Sequence, residues 1–248
     1  MNNSVILTGL MGSHSVGTNL PSSDYDFMSV VLADPSAYLG LGTYGQQGTV
    51  ESKWVNESGS KCEMVSYEWK KFLRLCLNFN PNVVPLLWLP YNQYVILCPI
   101  GAELVNSRRL FNSKKAYTAF SGYAWNQLKD MDNPNKTGDL GAIRKEEIAK
   151  YGYCLKKAYH SVRLCRMLME FLASNGEQMN VYRADMDGDE LMSIRNGDKS
   201  IGWVRSECET LLSDCDMLIG KCDLPDNPDS EAVERLCVDV VRSHCGLG

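Results

Sequence analysis

Residues 5–13 read VILTGLMGS, and residues 24–32 read DYDFMSVVL. Each stretch contains a short apolar run, with a Gly-Ser pair at the end of the first and an Asp-x-Asp pair at the start of the second. Short apolar runs bounded by small and polar residues are typical of strands. The two stretches therefore predict two strands, with a tight turn after the first and two carboxylates at the start of the second.

The Asp-x-Asp pair predicts two carboxylates at one place. Side chains alternate between the two faces of a strand, so Asp24 and Asp26 project to one face whereas Tyr25 and Phe27 project to the other. Two carboxylates this close repel each other unless a cation lies between them, and hard oxygen ligands suit Mg²⁺ or Mn²⁺. The pattern favours a divalent metal site, although an Asp-x-Asp pair alone is also typical of a solvated loop or a helix cap.

The Gly12-Ser13 pair predicts a phosphate site next to those carboxylates. Such a turn lets the backbone approach a phosphate closely and offers amide N–H groups and one hydroxyl. Phosphoryl transfer with two metal ions also needs a third carboxylate. Glu63 is the candidate, because it opens the strand-like run of residues 63–67 and could lie beside the Asp24 strand, although other glutamates are close in the sequence.

The remaining sequence divides the chain into two parts. Residues 4–89 contain short strand-like runs with Gly- and Ser-rich connections over residues 40–59, and the rest is predicted to be helical apart from a polar loop at residues 133–138. We predict an α+β fold, with a mixed sheet flanked by helices in residues 1–115, an all-helical domain in residues 116–248, and a cleft between them. The predicted helices span residues 69–77, 115–131, 143–174, 187–197, 203–219 and 228–242.

Composition narrows the range of functions. The 248 residues carry 25 Lys and Arg against 30 Asp and Glu, a net charge of −5, so bulk charge does not draw the chain to nucleic acid or to an anionic membrane. No apolar run is long enough for a membrane helix, and no secretory leader is recognisable, so we expect a cytoplasmic protein without a membrane partner. The 10 cysteines form no Cys-x-x-Cys pair, and Cys208, Cys215 and Cys222 fall on the apolar stripe of a helix, which predicts core packing.

The charge is distributed unevenly along the predicted helical part. Residues 141–166 contain seven basic and two acidic side chains, whereas residues 206–240 contain two basic and ten acidic ones. We therefore expect opposite fields on two sides of this part, with nucleic acid approaching only the basic side.

These motifs resemble a known family. Gly12-Ser13, Gly17 and residues 21–26 (PSSDYD) look like the signature of nucleotidyltransferases of the DNA polymerase beta superfamily. More closely, the chain is similar to the predicted nucleotidyltransferases found beside RNA ligases in RNA-repair operons and in large tailed phages. Further segments carry this similarity over nearly the whole chain: residues 70–73, 80–83, 113–115, 122–124, 150–153, 158–160, 163–164 and 194–197.

The resemblance implies a set of site residues. Two Mg²⁺ or Mn²⁺ ions would be held by Asp24, Asp26 and Glu63, which would be the catalytic residues, and an NTP would be the substrate. The nucleotide-binding residues would be Gly12, Ser13, His14, Gly17, Tyr153, Lys157, His160 and Arg163, with Lys157 reaching the triphosphate. The sequence departs from the family pattern at Glu63, where the family more often has Asp, and at Val16, where it often has an aromatic residue.

The resemblance also implies the reaction, which is transfer of a nucleoside monophosphate from an NTP to a hydroxyl, with release of pyrophosphate. An RNA 3′ end, such as that of a tRNA-like molecule, is the expected acceptor. Two other interpretations stay open at this point. One is transfer to a protein side chain, and the other is a non-catalytic module that binds nucleotide or RNA in the same cleft.

Overall fold

The computed structural model describes residues 3–133 and 142–247. Its strands are β1 (Ser4–Met11), β2 (Tyr25–Leu32), β3 (Thr49–Val55), β4 (Lys61–Glu68) and β5 (Tyr94–Leu97). Its helices are α1 (Gly12–Val16), α2 (Ser36–Leu39), α3 (Trp69–Leu77), α4 (Pro99–Asn106), α5 (Lys115–Asp130), α6 (Ala142–Tyr151), α7 (Leu155–Ala173), α8 (Gly188–Asn196), α9 (Ile201–Ile219) and α10 (Ser230–His244). Short 3₁₀ turns occupy Val84–Trp88, Tyr91–Gln93 and Arg108–Phe111.

The five strands form one mixed sheet in the order β3-β4-β2-β1-β5. Strands β2 and β4 are parallel, and the other neighbours are antiparallel. Paired residues of neighbouring strands share a face, so the register of Asp26 opposite Glu63 places these two side chains next to each other. The predicted α+β fold, with a mixed sheet and a helical C-terminal part, is confirmed.

Three predicted elements differ from the structure. The connection predicted over residues 40–59 contains β3, which is an exposed edge strand whose charged residues hide the apolar pattern. The region predicted as helix after residue 89 contains β5, which has only 4 residues. The helical segment predicted over residues 143–174 consists of two helices, α6 and α7, and Gly152 between them adopts a positive φ of 80°. Residues 134–138 of the predicted polar loop lie outside the described residues.

The helical part packs around α7, which contacts α5, α8 and α9. Cys208 and Cys215 of the predicted cysteine stripe are fully buried, and Cys222 is partly buried. One hydrophobic core joins residues of the sheet and of these helices. Helix α5 begins at the position where the sequence predicts the boundary between two domains, and that division stays a prediction. Within residues 3–133 and 142–247, no helix combines the length and apolarity needed to cross a membrane.

Arg166 forms ion pairs inside the helical part. This side chain of α7 is buried and donates hydrogen bonds to Asp187 at 2.7 Å, to Glu207 at 2.6 Å and to Glu190. The three acids lie at the N-terminus of α8, on α8 and on α9, so the cluster ties α7 to both helices. A buried arginine with three carboxylates is structural, and Arg166 is therefore not part of the basic surface that the sequence predicts.

The turn between β1 and α1 depends on Gly12. Its φ of 65° lies in the left-handed region, which residues with a Cβ rarely adopt. A Cβ at this position would overlap the Asp26 carboxylate, because the turn passes directly against that side chain. The glycine therefore gives the turn its shape and leaves room for the carboxylate.

We predict that Gly12→Ala lowers the free energy of unfolding by about 1–3 kcal/mol, since the new methyl group strains the backbone and displaces Asp26. Gly122→Ala is the matched control, because this exposed glycine of α5 has open space where a Cβ would lie. Its stability should rise by about 0.5–1 kcal/mol. Denaturant unfolding of both variants measures the difference, and equal stabilities would contradict this account of the turn.

Candidate active site

Three carboxylates lie at the end of the sheet where β2 and β4 begin. Asp26 is the second residue of β2, Glu63 is the third residue of β4, and Asp24 immediately precedes β2. The parallel pairing puts Asp26 directly beside Glu63. All three residues line one cleft of about 650 Å³, together with Gly12 and Ser13 from the first turn. The structure thus brings together the acids and the Gly-Ser turn that the sequence predicts for one site.

The field in this cleft disfavours charge on Asp26. Partial burial raises the pKa of its carboxyl above the ordinary value, and the neighbouring Glu63 and Asp24 carboxylates raise it further. Lys156 and His14 act in the opposite direction. Because these cations do not fully offset the burial and the like charges, the carboxylates form a site that favours a further positive charge.

Glu63 has a cationic neighbour of its own. Lys53, on the exposed edge strand β3, donates a hydrogen bond of 2.6 Å to Glu63, and both side chains are exposed. Among the residues that the structure describes, no three His, Cys, Asp or Glu side chains form a ready-made metal shell. The donors still suit Mg²⁺ or Mn²⁺, because they are carboxylate oxygens. Gly12 leaves room for one of them, the Asp26 carboxylate. A metal would compete with Lys53 for Glu63.

Helix α1 is held in place by the helical part of the chain. The Val16 carbonyl accepts a hydrogen bond of 2.9 Å from the Arg183 amide, and the Thr18 amide donates back to the Ser13 carbonyl at 3.0 Å. Gly17 ends α1 with a φ of 76°, and a Cβ there would collide with Tyr182. The predicted nucleotide-binding residue Gly17 therefore closes this turn against the helical part and does not line the cleft.

His14 lies beside the cleft. Its ring stacks on Tyr25 with 4.0 Å between the ring centroids, and it is absent from the residues that line the cleft. It nevertheless acts to lower the pKa of Asp26, which places the imidazole at the rim of the site.

The opposite wall of the cleft comes from the helical part. Lys156, Tyr159 and His160 of α7 line it, and so do Glu147 of α6 and Arg195 of α8. The cleft therefore lies between the two predicted parts of the chain, as the sequence indicates.

Tyr159 and Arg195 connect this wall to Thr18, which follows helix α1. The Tyr159 hydroxyl forms a hydrogen bond of 2.7 Å with the Thr18 hydroxyl, and the Arg195 guanidinium donates to the Thr18 carbonyl. The guanidinium also stands 5.5 Å from the centre of the Tyr159 ring. Sequence reasoning did not place Arg195 in the site. The one sequence feature that could have drawn attention to Arg195 is its position two residues before Gly197. In the structure, that glycine ends α8 with a positive φ.

Other predicted nucleotide-binding residues lie outside the cleft. Lys157 forms an ion pair with Asp130 at 3.2 Å, and only 13% of its side chain is exposed. Tyr153 is buried and donates its hydroxyl to the Lys199 carbonyl at 2.5 Å. Arg163 is not among the residues that line the cleft, and its guanidinium lies 6.0 Å from the Tyr159 ring. Within residues 3–133 and 142–247, its Nε has no hydrogen-bond partner. The lysine that faces the acids is Lys156, since α7 begins only at Leu155 and its phase turns Lys157 inward.

His160 is the predicted residue of α7 that does line the cleft. Burial lowers the pKa of its imidazole to about 3, and the positive charges of Arg163, Lys156 and Arg195 contribute to the shift. The ring is therefore neutral near pH 7, and it offers hydrogen bonds to a bound molecule without adding charge. The positive charge of this wall comes from Lys156 and Arg195.

Comparisons with known proteins identify the family of the chain. The model of the family described as the RNA repair pathway DNA polymerase beta family, RlaP, matches residues 1–236. A solved structure of a nucleotidyltransferase-like protein from Exiguobacterium sibiricum is 10% identical with a TM-score of 0.29, and the similarity covers 96% of this chain and 74% of that chain. No curated protein matches the chain. Because the family model spans almost the whole sequence, the chain belongs to the RNA repair pathway DNA polymerase beta family.

Proposed function

We propose that the protein transfers a nucleoside monophosphate from an NTP to the 3′ hydroxyl of an RNA and releases pyrophosphate. Family membership supports a nucleotidyltransferase role in RNA repair. The observation that carries the specific proposal is the pairing of Asp26 with Glu63, beside Asp24, in a cleft whose other wall presents Lys156 and Arg195. Acids on one wall and cations on the other suit a substrate that carries several phosphates.

The acids are the metal-binding side of the proposed site. Asp24, Asp26 and Glu63 would hold Mg²⁺ or Mn²⁺, which stabilises the charge that develops on phosphate oxygens during phosphoryl transfer. Lys53 keeps Glu63 neutralised when no such ion is bound, because its ammonium group already contacts that carboxylate.

The chain's own groups would position the triphosphate. Gly12 and Ser13 offer a hydroxyl and amide N–H groups at the turn, and the ammonium of Lys156 and the guanidinium of Arg195 face them across the cleft. His160, neutral at pH 7, is available for a hydrogen bond to the nucleotide. In the reaction the acceptor hydroxyl would release its proton to solvent as its oxygen forms a bond to the α phosphorus. The bond from this phosphorus to the bridging oxygen would break, and its electron pair would leave with pyrophosphate.

The test of the reaction follows label from the α phosphate of each NTP, with Mg²⁺ or Mn²⁺ and a mixed RNA pool. The wild-type protein should label RNA that has a free 3′ hydroxyl but not RNA whose 3′ end is blocked by phosphate. Asp24→Asn/Asp26→Asn should reduce labelling by at least about 100-fold, since it removes the charges that the site provides for the transition state. The control Asp239→Asn removes an exposed acid of α10 and should retain wild-type activity.

Each other outcome of the labelling test contradicts the proposal. Equal labelling by the wild type and the double variant would show that the carboxylates take no part in the reaction. Label on a protein in place of RNA would show a protein acceptor. NTP binding without pyrophosphate release, with every acceptor tried, would show a non-catalytic binding module.

A pair of adjacent substitutions tests which lysine meets the triphosphate. Lys156→Met should weaken NTP affinity about 10- to 150-fold, because a charge-assisted hydrogen bond contributes about 1.5–3 kcal/mol, and should leave the unfolding midpoint almost unchanged. Lys157→Met should keep NTP affinity and lower stability by about 1–3 kcal/mol, since Asp130 loses its partly buried partner. Calorimetric NTP titration and thermal unfolding separate the two effects, and the opposite assignment of effects would contradict the proposed site.

A further inference from the structure

The sheet has a second face that the proposed chemistry does not use. Alternation along β2 turns Tyr25 and Phe27 away from the carboxylates, and the register places Trp54 of β3 beside Cys62 of β4 on the same side. We call this side the reverse face. At the end of the sheet that carries the carboxylates, the first three residues of β2 are only partly buried, whereas its last five are buried.

Four aromatic rings form a strip along this open end, and we call His14, Tyr25, Phe27 and Trp54 the aromatic strip. Consecutive centroids lie 4.0, 6.4 and 5.9 Å apart, and the planes of neighbouring rings differ by only 12–17°. Cys62 is buried on this face, and its small side chain allows the rings on the flanking strands to approach each other. Trp54 remains 42% exposed. The His14 and Tyr25 rings each cover one face of the other, whereas Trp54 at the far end is the most exposed ring of the strip. A flat group can therefore stack on the strip at its Trp54 end.

The strip begins at the rim of the candidate active site. His14 follows Ser13 of the cleft, and Tyr25 lies in the sequence between Asp24 and Asp26. A chain stacked on these rings therefore needs to pass only around the start of β2 to reach the carboxylates.

A cationic pocket lies at the other end of the same face. It has a volume of about 410 Å³ and is lined by the glycine-rich residues 42–48 and by Lys70, Lys71 and Arg74 of α3. Tyr38 of this pocket donates a hydrogen bond of 2.8 Å to Glu68, which belongs to the reverse face. Glu68 lies six positions after Cys62 on β4, so the pocket is about 20 Å from the aromatic strip along the strand.

The cations of this pocket make few contacts within the protein, the exception being Lys70, whose ammonium lies 4.7 Å from the centre of the Tyr38 ring. Among the described residues, none of Lys70, Lys71 and Arg74 forms an ion pair. Glu68 also lines the pocket, and its carboxylate accepts hydrogen bonds from two backbone amides and from Tyr38. One carboxylate against three cations leaves the pocket with net positive charge. By contrast, Lys157 and Arg166 of the basic segment that the sequence predicts for nucleic acid are both engaged in internal ion pairs. The cations of α3 are therefore better placed to contact a phosphate than Lys157 and Arg166 are.

We propose that the reverse face binds the unpaired 3′ segment of the RNA acceptor. Bases stack on the aromatic strip, an upstream backbone phosphate occupies the cationic pocket, and the 3′ end passes around the start of β2 to the carboxylates. Exposed aromatic rings combined with a cationic site are how proteins hold single-stranded nucleic acid, because every base has a π-face and every nucleotide a phosphate. The inference deepens the proposed function and rests on its RNA acceptor.

The test measures RNA binding without catalysis. A fluorescent, unstructured RNA of about ten nucleotides, within the range of single-strand site sizes, is titrated with protein in EDTA without NTP, and anisotropy gives the affinity. Trp54→Ala should weaken binding about 5- to 100-fold, and Trp54→Phe should restore most of it because a ring is retained. Trp125→Ala, which removes a tryptophan that is 45% exposed on α5, should bind as the wild type does.

The pocket is tested through its salt dependence. Arg74→Gln should reduce the slope of log affinity against log salt concentration by about 0.7, the value for one phosphate contact of a single strand. Arg235→Gln, at an exposed arginine of α10, should leave the slope unchanged. A duplex of the same sequence should bind more weakly than the single strand, since its bases are not free to stack on the strip.

The outcomes separate this inference from the proposed function. Wild-type RNA affinity in Trp54→Ala, an unchanged slope in Arg74→Gln, or equal binding of duplex and single strand would overturn the role of the reverse face, even if RNA is labelled in the transfer reaction. Reduced binding in both variants would support it, even if the transfer reaction fails. Wild-type RNA affinity together with lost binding of another protein would instead assign the strip to a protein partner.

Discussion

The parallel pairing of β2 with β4 is the constraint on which the rest of the structure depends. It places Asp26 and Glu63 at equal height on one face of the sheet, and the residue before β2 adds a third acid. Like charges at this distance repel, and burial adds to the cost for Asp26, so the surrounding chain has to supply positive charge. The two parts of the molecule supply it from opposite sides, through Lys53 on the sheet and Lys156 on α7.

The same alternation gives β2 two chemically different faces. The carboxylates face the helical part across the cleft, and the aromatic strip faces away from it. One short strand therefore has acids for the proposed transfer on one side and flat apolar rings on the other. The turn at Gly12 and the stacked His14 ring connect the two sides at the end of the sheet.

Local pattern predicted the acids, the Gly-Ser turn and most helices, because these features depend on residues close together in the sequence. Apolar runs predicted β1, β2 and β4. The sequence did not predict the edge strand β3, because its charged residues interrupt the apolar pattern. The pairing of Asp26 with Glu63 is a matter of register between distant segments, and no local signal encodes it.

The helical wall was harder to predict than the sheet. The family resemblance implies Lys157 at the triphosphate, whereas the structure presents Lys156, because helix periodicity does not tell which side of α7 meets the cleft. Arg195 enters the site only because α8 packs against α7. Arg166 looked like surface charge in the sequence, and its three acidic partners come from segments more than 20 residues away.

The response of thermal stability to divalent metal tests the central claim most directly. At a pH above the raised pKa of Asp26, the ionised carboxylate destabilises the fold, so Asp26→Asn should unfold a few degrees higher than the wild type in EDTA. Mg²⁺ or Mn²⁺ should then raise the wild-type midpoint, with about 2.7 kcal/mol of added stability at a hundred times the dissociation constant, and should leave the variant unchanged. An unfolding midpoint of the wild type that neither metal changes would contradict the account, and so would an equal rise in the midpoint of the variant.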